Sequence, residues 1–381
     1  MMSNTKTALI MAGGTGGHIF PGLAVAQGLL DAGWQVTWLG GPAPSMEARI
    51  LKAQQAAGLN VHFESIEFGG LRGKGLKTIG LLPFKLAKAL WQSRVLLHKV
   101  RPTVVIGMGG YISFPAGLMA CALGIPLVLH EQNSVAGLAN KVLARWASHV
   151  LTAFPTPFAN SKWLSSVRPS VFIGNPLRRS FTQQAAPATR FAGRQGALQL
   201  LVIGGSLGAK GLNEVVPQAL ALIPSELRPT VIHQSGAAQL ETLQANYLAV
   251  NVAATCIAFI EDTASAFANA DIIITRSGAS TVTEIAAVGA AALFVPFPYA
   301  VDDHQTTNAK YLVNGIHGQS GAWIEQQSDL TAQMLADFLQ TMTREELLSK
   351  AQAAHQMAKL DATTKLVEAC ELKSNRQGVP L

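Results

Sequence analysis

Residues 7–30 read TALIMAGGTGGHIFPGLAVAQGLL. Ala8 to Ala12 form an uncharged apolar run, suited to a strand buried on both faces. Gly13 to Gly17 interrupt it, and from Gly17 to Leu30 apolar residues return with helical spacing. Strand, glycine turn and helix in that order open a βα unit of a parallel sheet. The same opening recurs from Leu198 to Leu212, around Gly204-Gly-Ser-Leu-Gly-Ala209. Further apolar runs at Gln35–Leu39, Thr103–Gly107, Pro126–Leu129, Thr230–His233, Ala254–Phe259, Asp271–Thr275 and Ala291–Val295 alternate with helical stretches. The fold class is therefore α/β, in two similar halves with a ligand cleft expected between them. The turn-rich Phe154-Pro-Thr-Pro-Phe158 and Gly174-Asn-Pro176 separate the halves. This gives one domain over 1–176 and a second over 177–357.

Composition narrows the function. Of 381 residues, 49% are apolar and 13% charged, which excludes a disordered chain. Cys121, Cys256 and Cys370 lie far apart and form no zinc pair, redox motif or disulfide framework. No apolar run reaches the roughly 20 residues of a membrane span. The net charge is +7, unevenly placed. Between Phe68 and Asn213 Glu131 is the single acid, against 17 Lys and Arg. Such asymmetry points to an anionic partner: a phosphorylated small molecule, anionic lipid or nucleic acid. Basic patches that bind nucleic acid interleave with aromatics or belong to a known module, and neither is present, so no nucleic-acid partner is expected.

Gly13-Gly-Thr-Gly-Gly-His18 sits between strand and helix, where open N–H groups and the helix dipole attract anions. It is not a dinucleotide fingerprint, because Ile19 holds the third glycine position and no acid closes the second strand at Trp38-Leu-Gly-Gly41. Nor is it a P-loop, since no Gly-Lys-Ser/Thr follows. Gly107-Met-Gly-Gly-Tyr111 and the Gly204 cluster are two more strand-end loops. Gly204 to Gly208 also fits the hydrolase elbow Gly-x-Ser-x-Gly, with Ser206, Asp271 or Asp302, and His304 as a triad. That reading leaves the other two loops, the two halves and Glu284 without a role.

Several longer motifs carry a family resemblance. They are Gly13 to Ala26, Gly107-Met-Gly-Gly-Tyr-Ile-Ser-Phe-Pro115, His130-Glu-Gln-Asn-Ser-Val-Ala-Gly-Leu-Ala-Asn140, Gly174-Asn-Pro-Leu-Arg178, Arg276-Ser-Gly-Ala-Ser-Thr-Val-Thr-Glu284 and Pro296 to Asn308. In order and over nearly the whole chain, these resemble the MurG family, the N-acetylglucosaminyltransferases of bacterial peptidoglycan synthesis. A related glucosyltransferase with a diacylglycerol acceptor would share the fold, but the His130 segment and the Gly107 loop favour MurG.

The resemblance implies a GT-B fold of two Rossmann-like domains: the N-terminal one on the acceptor and membrane side, the C-terminal one binding the nucleotide sugar. A last helix, about 358–373, packs back on the first domain. It implies UDP-N-acetylglucosamine as donor and lipid I as acceptor, with lipid II as product. It also implies a peripheral location on the cytoplasmic face of the plasma membrane, with cell-wall synthesis and division proteins as candidate partners. By motif match, Ser206 and Arg178 meet the donor diphosphate. Ile260 meets uracil through its backbone, and Ala279, Ser280, Thr281, Val282, Thr283 and Glu284 form the nucleotide region. Glu284 takes the ribose hydroxyls, Asn133, Gln305 and Asn308 read the sugar, and Thr15, Gly16 and Gly17 line the cleft. Two departures stand out: Leu207 where many relatives have Gln, and His304 where some have Gln.

The donor is α-linked and the product β-linked, so one in-line displacement suffices. His18, at a helix N-terminus whose dipole disfavours imidazolium, is the first candidate base, and Glu131 the second. No Asp-x-Asp motif is present; Asp302-Asp303 is the nearest acidic pair and lies in the sugar-binding segment. No cofactor and no essential active-site metal are expected. Membrane contact is expected at Leu71 to Arg101. There Lys85, Lys88, Gln92 and Lys99 form one helical face and Leu86, Leu90 and Leu97 another, and Arg72, Lys74 and Lys77 precede them. Ile79, Leu81, Leu82 and Phe84 are placed to insert at the interface.

Overall fold

The computed structural model describes residues 6–69, 81–158, 169–205 and 209–374. Ser206, Leu207, Gly208, Arg72, Lys74, Lys77 and Ile79 lie outside these residues. The chain divides into two compact units, 1–178 with 360–381, and 179–359.

The first unit is built on β1 (Thr7–Met11), β2 (Gln35–Gly40), β3 (Val61–Ser65), β4 (Val104–Gly107), β5 (Leu127–Glu131), β6 (His149–Thr152) and β7 (Val171–Phe172), with α1 (Gly16–Asp31), α2 (Met46–Ala56), α3 (Leu82–Val100), α4 (Ser113–Ala122) and α5 (Leu138–Leu143). Its sheet runs β3-β2-β1-β4-β5-β6-β7, and every pairing is parallel. Strand alternation splits its core. Ala8, Ile10, Val36, Trp38, Val104 and Ile106 pack on one face, Leu9, Met11, Leu39, Val105 and Leu129 on the other. The fully buried Trp38 donates its indole N–H to Ala12 O at 3.0 Å. A Cβ at Gly22 would stand 2.6 Å from that ring, so this glycine lets α1 lie close to the sheet.

The second unit holds β8 (Gln199–Ile203), β9 (Thr230–Gln234), β10 (Thr255–Ile257), β11 (Ile272–Thr275), β12 (Ala292–Phe294) and β13 (Trp323–Ile324), in the order β10-β9-β8-β11-β12-β13, again all parallel. Its helices are α6 (Arg179–Thr182), α7 (Pro187–Phe191), α8 (Lys210–Ala221), α9 (Leu240–Ala249), α10 (Thr263–Asn269), α11 (Ala279–Val288), α12 (His304–Asn314), α13 (Ala332–Thr341) and α14 (Arg344–Gln356). The last helix, α15 (Ala362–Ser374), belongs to the first unit and buries Leu366, Ala369 and Cys370 in the α1 side of its core.

Strands β3, β6, β7 and β13 were not read from sequence. β3, β7 and β13 are sheet edges, and two of these have only two residues, so their backbones need little apolar sequence. On α3 the apolar face carries Leu86 and Leu97, as the spacing predicts. Leu86, Ala89, Leu96 and Leu97 pack into the core, while Phe84, Trp91 and Val95 stand outward among Lys85 and Lys88. Lys88 pairs with Glu67 at 2.7 Å, Lys99 pairs with Glu64 at 2.5 Å, and Gln92 Oε1 accepts from Glu67 N–H. Among the described residues no helix is long and apolar enough to cross a membrane.

Candidate active site

In the first unit the sheet delivers three loops to one end. Thr15 caps α1 with extended backbone and makes no side-chain capping bond, so the first-turn amides at Gly16 and Gly17 carry the positive end of the dipole. His18 follows them, half-buried. The second glycine loop closes over this turn. Gly109 and Gly110 have φ of +88° and +81°. A Cβ at Gly110 would stand 2.5 Å from Gly13 O, and one at Gly109 2.9 Å from His18 Cε1 and Nδ1. Only glycine permits both the backbone and the approach. Ser113 braces the loop, donating to Met11 O and Gly109 O.

The third loop follows β5. His130 is fully buried and meets Gly174 O through Nε2 at 2.9 Å. Burial pushes this imidazole down to about 4, although the Gly174 carbonyl opposes the shift; His18's charge adds slightly to it. Glu131, the second candidate base, is 2% exposed and has both carboxylate oxygens engaged. Its Oε1 accepts from Asn133 N–H at 2.9 Å, and its Oε2 from Gly137 N–H at 3.0 Å and Asn140 Nδ2 at 2.9 Å. Both oxygens brace the loop that carries Gln132 and Asn133. Gln132 Oε1 lies 3.1 Å from His18 Nδ1. Arg178 holds its guanidinium 5.1 Å from the Phe20 ring centroid, against α1.

Two contributors escaped the sequence reading. Glu47, 1% exposed on α2, accepts from Gly41 N–H at 2.7 Å and Gly14 N–H at 3.3 Å, tying the β2 loop to the first glycine loop. Its signal was an acid six residues beyond Gly41, the glycine just after β2. A cavity of about 510 Å³ opens beside this tie, walled by Gly14, Pro44, Met46, Phe68 and Tyr111. Gln132 stood inside a quoted motif, but nothing in the sequence showed which way it points.

In the second unit, Gln234 at the end of β9 clamps the loop after β8: its amide accepts from Gly205 N–H and donates to Gly205 O and Ala258 O. Ile260 follows β10, half-buried, with its carbonyl facing Thr263 Oγ1 at 3.5 Å. α11 begins three residues past β11, capped by Gly278 without a side-chain bond, so its first-turn amides point beyond the strand end. Of the six residues expected there, Val282 is fully buried and Thr283 turns its hydroxyl back to Ala279 O and Ser280 O. Ser280, Thr281 and Glu284 form the half-exposed face.

Asn308, fully buried on α12, donates to Ser277 O at 3.2 Å and so braces the loop before α11. Gln305 keeps its place on the first turn of α12, its Oε1 accepting from Phe297 N–H at 3.0 Å. Asp302 and Asp303 precede this turn, both with positive φ near 50°, a conformation costly for residues with a Cβ. Arg276 donates to Val295 O, Pro296 O and Gln327, holding the β12 end; burial pulls its guanidinium below the ordinary arginine range. The hydrolase reading fails at Asp271, whose buried carboxylate is taken by Arg194 at 2.6 Å and Arg344 at 3.1 Å. Among the described residues no group of three His, Cys, Asp or Glu is placed to hold a metal ion.

Comparison with known proteins covers both units. Residues 8–152 match the glycosyltransferase family 28 N-terminal domain and residues 199–367 the family's C-terminal domain. The chain is 58% identical over 370 residues to the UDP-N-acetylglucosamine–N-acetylmuramyl-(pentapeptide) pyrophosphoryl-undecaprenol N-acetylglucosamine transferase of Paracidovorax citrulli, covering 97% of this chain and 99% of that protein. It is 59% identical to the protein of that name from Polaromonas naphthalenivorans, with 97% and 99% covered. Among solved structures, Acinetobacter baumannii MurG is 39% identical with a TM-score of 0.80, covering 96% of this chain and 99% of that one.

Proposed function

The chain belongs to glycosyltransferase family 28, and from that premise we propose how its two units divide the work of transfer. It is a glycosyltransferase of peptidoglycan synthesis with the GT-B fold, moving N-acetylglucosamine from UDP-N-acetylglucosamine to lipid I and giving lipid II. Donor recognition is assigned to the second unit. The α11 amides meet the diphosphate, Glu284 takes the ribose hydroxyls, the Ile260 backbone meets uracil, and Gln305 reads the sugar through its amide N–H groups. Ser206 and Arg178 are assigned to the diphosphate on the motif match. The observation that carries this reading is the face of α11, where Ser280, Thr281 and Glu284 stand half-exposed on the helix's first two turns, at a strand end.

Acceptor activation is assigned to the first unit. His18 takes the proton of the acceptor 4-hydroxyl as that oxygen attacks the anomeric carbon. The bond from that carbon to UDP breaks in the same displacement, inverting the centre. Asn133 reads sugar hydroxyls beside it. Amides and cationic side chains stabilise the departing diphosphate with no metal step, so turnover is expected to persist in EDTA. The enzyme works as a peripheral protein on the cytoplasmic face of the membrane that holds its acceptor, attached through the outward face of α3. The defining experiment incubates the protein with UDP-N-acetylglucosamine and a lipid I analogue. Disaccharide and UDP are expected in equal amounts; UDP without disaccharide would overturn the assignment.

A further inference from the structure

Gln132 is 1% exposed and lies directly after β5, on the loop that Glu131 braces. Its Oε1 is 3.1 Å from His18 Nδ1. The two groups share one wall: a Cβ at Gly109 would stand 2.9 Å from His18 Nδ1 and 3.0 Å from Gln132 Oε1. The Nδ1 edge of the ring is thus enclosed by Gly109 and Gln132, and this bond is the ring's hydrogen bond among the described residues.

We propose that Gln132 is a positioning residue for the transfer: its Oε1 accepts the Nδ1 proton of His18 and so keeps the lone pair on Nε2. A neutral imidazole carries one N–H, and an acceptor held beside one nitrogen draws the proton there. An amide oxygen sets the tautomer without adding charge. A carboxylate at the same place would set the tautomer and also stabilise imidazolium. This rests on the reading of His18 as base and names the residue that makes Nε2 the nitrogen that accepts the proton.

The titratable or charged groups on the elements packed nearby have their own partners: His130 on β5, whose pKa burial lowers; Glu131, engaged by Asn133, Gly137 and Asn140; Glu47, engaged by Gly14 and Gly41; and Arg178 over Phe20.

The test uses the full chain. Long-range ¹⁵N–¹H spectra of histidine-labelled protein, above the imidazole titration, report which ring nitrogen is protonated, and His18→Asn assigns the signal. The expected result is protonated Nδ1 and bare Nε2; a protonated Nε2 overturns the proposal. Gln132→Glu should move the acid limb of the kcat/KM profile up by about 1–3 pH units. Gln132→Met should lower kcat about ten-fold or more, with KM for the donor little changed. A Gln132→Glu enzyme that binds UDP normally but keeps the parental acid limb also overturns it. The two readings separate through His18→Ala. Normal turnover in that variant removes the base assignment and this proposal with it. Lost turnover combined with an unmoved acid limb in Gln132→Glu removes the role of Gln132 alone.

Discussion

Asn140 on α5 donates its side-chain amide to Glu131 Oε2 at 2.9 Å, nine residues away in sequence, and neither residue is more than 3% exposed. The bond makes the carboxylate before Gln132 a brace for the loop that carries it. Glu131→Gln should therefore cost about 1–3 kcal/mol of stability, since one amide N–H₂ must then face groups that are themselves donors. The pH position of the kcat/KM profile should stay as in the parent. Thermal unfolding and a pH–rate series check both; loss of a profile limb with stability intact would return Glu131 to the chemistry.

His18→Ala should lower turnover by roughly 10²- to 10⁴-fold while UDP affinity stays parental. Calorimetry with UDP and steady-state assays separate the two effects. Near-normal turnover would leave the acceptor proton to solvent.

On α11, Glu284→Ala should weaken UDP roughly ten- to a hundred-fold, because a charged acceptor loses two ribose hydroxyls. Asn308→Ala should behave differently. It leaves the buried Ser277 carbonyl without its donor, so Tm should fall more than donor affinity does. Equal losses of UDP binding in both variants would refute the division between reader and brace.

Acid stability should follow His130. Its folded pKa of about 4 lies below the ordinary imidazole value of 6.5, so the unfolded chain binds the extra proton between these values. The contribution to stability is full above about pH 6.5 and is lost as pH falls towards 4. Urea midpoints measured across that window should drop more steeply in the parent than in His130→Asn. Parallel curves would show that another buried group, such as His233, also pushed down by burial to about 3, dominates.

Phe84 and Trp91 are 76% and 65% exposed on α3, with Lys85 and Lys88 beside them. Sedimentation with anionic vesicles should fall in Phe84→Ser/Trp91→Ser and in Lys85→Glu/Lys88→Glu, the second pair responding to salt. Both variants should bind UDP normally. Unchanged sedimentation in both would move the membrane face elsewhere.

The sequence by itself determined the parallel sheets, the repeated strand–glycine–helix opening and the three glycine loops at Gly13, Gly107 and Gly204. These features are periodic or local, and local chemistry dictates them: uncharged runs bury on two faces, and glycine clusters end strands. Tertiary structure decided what each side chain does once there. Val282 and Thr283 share a motif with Glu284, but the rotation of α11 sends them inward. Glu47 reaches Gly14 and Gln132 reaches His18 across 33 and 114 residues. Glu131 accepts from Asn133, Gly137 and Asn140, and Asn308 donates to Ser277 O, partners that no local pattern announces. A buried polar atom takes whichever partner the packing brings within about 3 Å, and that partner is set by the arrangement of the whole sheet rather than by neighbouring residues.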